Sequence, residues 1–146
     1  MPDPEPDCWL HAAVEVRPSD VAGRGLFPAV DLPARTVVLR LPAALGEGGT
    51  VDAHGLDFPN HACDPNLGWV DEHTLATMED VAAGAELLTD YAMSTVDPDW
   101  IMRCHCASYR CRQMIEGTDW RIPQLQRRYD GWWAPYVQRL VDASRG

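Results

Sequence analysis

Lysine is absent from this chain: all 12 basic side chains among its 146 residues are arginine. Asparagine occurs only at Asn60 and Asn66, phenylalanine only twice, and isoleucine is scarce. A GC-rich coding sequence produces such a skew and is enough to explain the missing lysine. No apolar run approaches the roughly 20 residues that a membrane-spanning helix needs, which excludes such a helix. The stretch MPDPEPDCWL has neither the basic nor the apolar segment of a secretory signal, so residues 1–10 are read as a short disordered leader on a cytoplasmic protein. Positive charge is also in deficit. Against 12 basic residues stand 22 acidic ones, a formal charge of -10 and a pI near 4.7. Phosphate binding requires a basic face, so nucleic acid is not the expected partner. An acidic surface suits basic partners, or simply keeps a small domain dissolved.

What is present fits one domain with a modest core. Hydrophobic residues make up 46% and charged residues 23%, ordinary values for a globular protein. AAVEVRP (12–18) and RTVVLRL (35–41) read as strands bounded by Pro and Gly. LGWVDEHTLATMEDV (67–81) and GAELLTDYA (84–92) read as two more, parted by a turn around Ala82 to Ala85. The Gly-rich stretch from Pro42 to Pro59 is expected to be an irregular connection. Ile122, Leu125, Tyr129, Trp132, Tyr136 and Leu140 recur at helical spacing, an amphipathic tail that Pro135 must kink or restart. Many short strands and little other helix predict a mainly β core.

Three local patterns carry chemistry. The heptad NHACDPN (60–66) holds both asparagines, and is open to two readings, ordinary turn chemistry or a polar site. Gly23 and Gly25 flank Arg24 and allow either a tight turn or a close backbone approach to something bulky. Five cysteines, an odd number, with no export signal disfavour a disulfide framework and leave metal or reactive thiols. Cys104, Cys106 and Cys111 place three thiols within eight residues, a spacing suited to one tetrahedral zinc ion.

In their order, AGRGLFPAVDLPARTVVL, NHACDPN, EDVAAGAELLTDY and RCHCASYRCRQMIEG resemble the SET-domain methyltransferases that carry a post-SET zinc segment. The resemblance runs from about Val14 to Gly117. It implies a SET-domain fold of several short sheets with a knotted C-terminal segment over 11–100, the post-SET zinc segment over 101–117, and a helical tail packed on the domain over 118–146. It implies S-adenosylmethionine as cofactor, with Asn60 and His61 beside its methionine and adenine ends. Arg24, Gly25 and Leu26 would be a main-chain clamp, and Ile115 an apolar platform for the adenine. Cys63 would complete a structural zinc site with Cys104, Cys106 and Cys111; His105 is a competing ligand, and Cys8 is left as a free thiol. Asn66 and Pro65 would shape the turn. Tyr91 would be the catalytic residue, its hydroxyl lining the channel in which an amine attacks the methyl group, and its alignment would matter more than acid catalysis. Asp90 is a rival base, but neighbours on a strand face opposite ways, which favours a structural role.

The expected activity is methyl transfer to a lysine ε-amine of a basic protein or peptide. Two departures weaken that substrate assignment. The stretch 42–59 is shorter than the family's usual insert, which walls the peptide groove, and Thr89 and Met93 replace aromatics that normally define the lysine channel. A SET-fold enzyme acting on a small metabolite is therefore the first alternative, and a zinc-stapled binding module without catalysis the second. Trp132 and Trp133 in the tail either face a second copy in a homodimer or pack within the monomer.

Overall fold

Val14–Pro18 (β2) and Arg24–Pro28 (β3) form an antiparallel hairpin with Val14 opposite Pro28 and Pro18 opposite Arg24. Its turn is closed chemically: the Ser19 hydroxyl accepts from the main-chain N–H groups of Val21 and Ala22, and Gly23 takes φ 45°, which a residue with a Cβ adopts only at a cost. The segment around Gly23 and Gly25, which lies between the two strands read from the sequence, thus holds both a tight turn and a strand of its own. The chain is described here by a computed structural model covering residues 9–40 and 59–145. Cys8, most of the leader and nearly all of the connection from Pro42 to Pro59 lie outside the described residues.

The main sheet has six strands in the order β1-β4-β7-β6-β8-β5. These are Trp9–Leu10 (β1), Val37–Arg40 (β4), Asn60–His61 (β5), Leu67–Trp69 (β6), Thr74–Thr77 (β7) and Leu88–Thr89 (β8). The run from Leu67 to Val81, expected as one strand, is a hairpin, because Asp71 accepts from the His73 N–H at 2.7 Å and folds the chain back. The GAELLTDYA strand is cut short at Thr89: Asp90 accepts from the Ala92 N–H and caps a 3-10 turn over Tyr91–Met93.

β5 and β6 both run parallel to β8 and lie on either side of it. The short link 62–66 between them therefore crosses over β8. Asn66 holds that strand as a piece of backbone would: its Nδ2 donates to the Glu86 carbonyl and its Oδ1 accepts from the Leu88 N–H. A separate two-stranded sheet pairs Ile101–Arg103 (β9) with Met114–Glu116 (β10), Met102 facing Ile115.

The tail forms two helices, Pro123–Arg128 (α1) and Pro135–Arg145 (α2), so Pro135 restarts the helix rather than kinking it. The predicted stripe packs on the core from Ile122 to Tyr136 and fails at Leu140. Leu125 and Tyr129 are buried, but Gly131 at φ 88° breaks the period, and the buried face passes to Trp133, Val137 and Val141 while Leu140 is exposed. Trp132 lies over Gly68, where an added Cβ would come within 2.6 Å of its ring, and its carbonyl accepts from the Trp69 N–H. One apolar cluster runs from Val14 and Leu26 through Leu39, Leu67 and Leu87 to Trp133 and Val141, so the tail shares its core with the strands. Among the described residues no helix is long and apolar enough to cross a membrane. The molecule is mainly β, with a C-terminal helix and a cysteine cluster.

Candidate cofactor and metal site

The four sulfurs of Cys63, Cys104, Cys106 and Cys111 lie within 4.8 Å of one another, with Cys63 and Cys104 3.8 Å apart. Zinc–sulfur bonds of about 2.3 Å at tetrahedral angles separate their sulfurs by about 3.8 Å, so the cluster has the size of a zinc cage. It is too open for a disulfide, and all four are free thiols. Burial pushes the Cys63 thiol up to about 11 and raises Cys104 as well, whereas at Cys106 burial is outweighed by hydrogen bonds from the main chain at Cys63 and Ser108. A divalent cation stabilises the thiolate form of buried thiols such as Cys63 and Cys104, and four cysteine ligands leave no open position for catalysis. The cage therefore fits a structural Zn²⁺.

Cys63 reaches the site through His61. The His61 ring accepts from the Tyr91 N–H through Nδ1 at 3.0 Å, so Nε2 carries the proton and points at the Cys63 sulfur, 3.4 Å away. Burial lowers the His61 pKa to about 4 against the opposing charge of Asp90, and the ring is neutral at physiological pH. Its side chain is thus committed to the interior. The Tyr91 ring meets His61 edge to face at 5.1 Å, leans on Trp100 at 6.2 Å, and donates from its hydroxyl to the Pro59 carbonyl at 3.0 Å. The phenol is thereby fixed beside the residue that precedes Asn60.

Below this lies a buried charge network. The Asp90 carboxylate is fully buried and accepts from both terminal nitrogens of Arg112, at 2.7 and 3.0 Å, and from the Tyr129 hydroxyl at 2.8 Å. Arg112 also pairs with Asp119 at 3.0 Å, and its main-chain N–H points at the Cys63 sulfur. Burial drives the Asp90 pKa up, but the Arg112 hydrogen bonds and charge prevail and the net shift is downward. With its lone pairs occupied by Arg112, Tyr129 and Ala92, Asp90 is a structural anion and not a base, as its place beside Tyr91 led us to expect.

Asn60 has its amide nitrogen surrounded by acceptors: the Glu86 carboxylate at 2.9 Å, the Ala22 and Arg24 carbonyls at 3.0 Å each and the Ser19 hydroxyl at 3.1 Å. Its carbonyl oxygen takes no hydrogen bond among the described residues. Arg24 and Leu26 spend their carbonyls within the protein, on Asn60 and on the Leu87 N–H. The close approach that Gly25 permits is that of Glu86: a Cβ on Gly25 would lie 2.2 Å from Glu86 Oε2. Ile115 is completely buried against Cys63 and Cys104, so it offers no face to an adenine, while its neighbour Met114 is exposed.

The structure therefore gathers Arg24, Gly25 and Asn60 at one place, and His61, Tyr91, Cys63, Cys104, Cys106 and Cys111 next to it, with Ile115 beneath the cysteines. His105 is not part of the metal cluster. Ser19, Glu86 and Arg112, which hold these groups, were not anticipated, although Glu86 stands inside EDVAAGAELLTDY and Arg112 follows Cys111. No protein-family model matches the chain.

Proposed function

We propose that this protein is a SET-type, S-adenosylmethionine-dependent methyltransferase that acts on the ε-amine of lysine in a basic protein or peptide. The observation that carries the reading is the link 62–66, which crosses over β8 and joins Asn60, the Tyr91 turn and the four-cysteine cluster in one unit. That convergence is what the resemblance of the sequence motifs implies. The residues also fit the cofactor's charged end: Asn60 presents a carbonyl oxygen with its amide nitrogen anchored, an acceptor for an ammonium group.

When bound, S-adenosylmethionine supplies an electrophilic methyl group on a sulfonium. The protein's part is alignment. Tyr91, held by His61, Trp100 and the Pro59 carbonyl, offers a phenol oxygen that stabilises a methyl group bearing partial positive charge. Asp90 has no free lone pair for general-base work, so the attacking amine loses its proton to solvent. A water-poor channel beside a cation lowers an amine pKa and assists that loss. The zinc cage keeps the C-terminal segment against the cofactor loop, and the net charge of -10 favours basic acceptors.

The test is incubation of the zinc-loaded protein with methyl-labelled cofactor, lysine-rich basic peptides and a metabolite extract. Label in lysine side chains is the expected result; a protein that binds cofactor yet labels no peptide sinks the acceptor assignment. A second reading, a small-molecule acceptor, is favoured by the short span between the end of β4 at Arg40 and the start of β5 at Asn60. It predicts label in the low-molecular-weight fraction instead.

A further inference from the structure

The Glu86 carboxylate accepts from the Ser19 hydroxyl at 2.7 Å through Oε1 and from Asn60 Nδ2 at 2.9 Å through Oε2. No arginine is paired with it among the described residues. Its position follows from the fold: the Leu87 N–H donates to the Leu26 carbonyl at 2.8 Å, which brings residue 86 alongside β3, and Gly25 leaves the space that the carboxylate fills. Ser19, in turn, is held by the Val21 and Ala22 N–H groups in the hairpin turn. Three side chains far apart in sequence thus form one unit, and its only formal charge is negative.

The orientation of Asn60 is a consequence. Turning its amide over would set the carbonyl oxygen against a carboxylate and two main-chain carbonyls, a repulsive arrangement, so Nδ2 faces Glu86 and Oδ1 faces away. A carboxylate on the N–H side of an amide polarises it and makes its oxygen a stronger acceptor. Replacing Glu86 by a neutral group would leave the Ala22 and Arg24 carbonyls to orient Asn60 but remove both the polarisation and the negative charge, and what that charge complements is a cation.

We infer that Glu86, held by Ser19, is a positioning residue that polarises the Asn60 carbonyl, which the Ala22 and Arg24 carbonyls help to turn outward, for the α-ammonium of an amino-acid-bearing ligand. The inference rests on the proposed function, because S-adenosylmethionine and its product carry that group. It adds that discrimination of the amino-acid end comes from the Ser19–Glu86–Asn60 unit, and not from the Arg24 to Leu26 main chain, whose carbonyls at 24 and 26 are already occupied.

The experiment is calorimetric titration of the full zinc-loaded chain with S-adenosylhomocysteine and, separately, with 5′-methylthioadenosine, which keeps the nucleoside but lacks the amino acid. Wild type is expected to bind both, the former more tightly. In Glu86→Gln, affinity for S-adenosylhomocysteine falls roughly tenfold, as loss of a charge-assisted bond requires, while methylthioadenosine affinity is unchanged. Ser19→Ala, which removes a half-buried hydroxyl together with its bonds to Glu86 and to the Val21 and Ala22 N–H groups of the turn, shows the same selective loss in smaller degree and keeps the measurement open if Glu86→Gln folds poorly. Equal loss for both ligands would mean that Glu86 only supports the fold, and unchanged affinity for both would mean that it does not act on Asn60; either overturns the inference. Failure of wild type to bind either ligand overturns the proposed function and the inference with it, and is told apart from the other failures by that control.

Discussion

Cys63 and Tyr91 are coupled through one buried imidazole, His61, whose two nitrogens contact the sulfur of the first at 3.4 Å and the main-chain N–H of the second at 3.0 Å. The four-cysteine cluster is thereby two hydrogen bonds from the main chain of the residue whose phenol the proposed chemistry uses.

Metal loss is therefore expected to be felt at Tyr91. Purified protein should contain one zinc per chain by atomic absorption. Cys104→Ser or strong chelation should lower the melting temperature by about 10 °C or more, since zinc binding to a preformed cage is folding energy. The near-ultraviolet circular dichroism should change with it, because Tyr91 and Trp100 lie beside the cage. A metal-free protein with unaltered melting and spectrum would refute the coupling.

The Asp90 network sets an acid limit. Its folded pKa is depressed below the ordinary 3.8, so the stability it contributes is present above about pH 4 and is lost as pH falls toward and through the folded value. Asp90→Asn should cost about 3–5 kcal/mol near neutrality, because Arg112 keeps a buried charge with a partner removed. Urea denaturation between pH 3 and 7 checks both parts: the gap between wild type and variant should narrow below pH 4. A constant gap would place the carboxylate's contribution elsewhere.

Two glycines should differ in what a methyl group does. On Gly25 the added carbon meets the far end of the flexible Glu86 side chain, whereas on Gly117 it would lie 1.6 Å from the main-chain carbonyl oxygen of Asp97. Gly117→Ala should therefore destabilise by roughly 3 kcal/mol or more, at the top of the overpacking range, and Gly25→Ala by about 1 kcal/mol. Most of the Gly25 cost should vanish in a Glu86→Ala background. Thermal denaturation of the three variants decides it; absence of that relief would mean that Glu86 is not what Gly25 accommodates.

Tyr91→Phe removes one hydroxyl whose structural partner is the Pro59 carbonyl. Stability should fall by about 1 kcal/mol, the net worth of a hydrogen bond. Turnover should fall roughly a hundredfold, with cofactor affinity retained, since the oxygen acts on the moving methyl group. Single-turnover kinetics with labelled cofactor measures this, and an equally active variant would remove Tyr91 from the mechanism.

Legibility followed locality. The tight spacing of Cys104, Cys106 and Cys111 pointed to metal from the residues alone, and the heptad from Asn60 to Asn66 stood out against an asparagine-poor chain. Cys63 joined the cluster only through the resemblance, because its partners lie some forty residues away and nothing local marks it. Nothing local tied Glu86 or Ser19 to Asn60: Glu86 meets it because β5 pairs with β8, and Ser19 because the Leu26–Leu87 bridge sets the β2–β3 hairpin against the start of β8. The break between β6 and β7 was readable in principle, since Asp71 heads a polar triplet with His73, but the apolar positions on both sides masked it. Gly131 likewise marked the point where the tail's stripe shifts, and Ile115 showed that an apolar residue in a matching motif can be turned under the metal site.

The passage of residues 62–66 across β8 imposes an order on assembly. Closing a clasp between Cys63 and the cysteines at 104–111 before residues 88–89 are seated would turn the segment that carries β8 into a loop tied at both ends. Refolding with zinc present from the outset is therefore expected to be slower, by stopped-flow fluorescence, than refolding with zinc added afterwards; equal rates would show that the clasp does not hinder that strand.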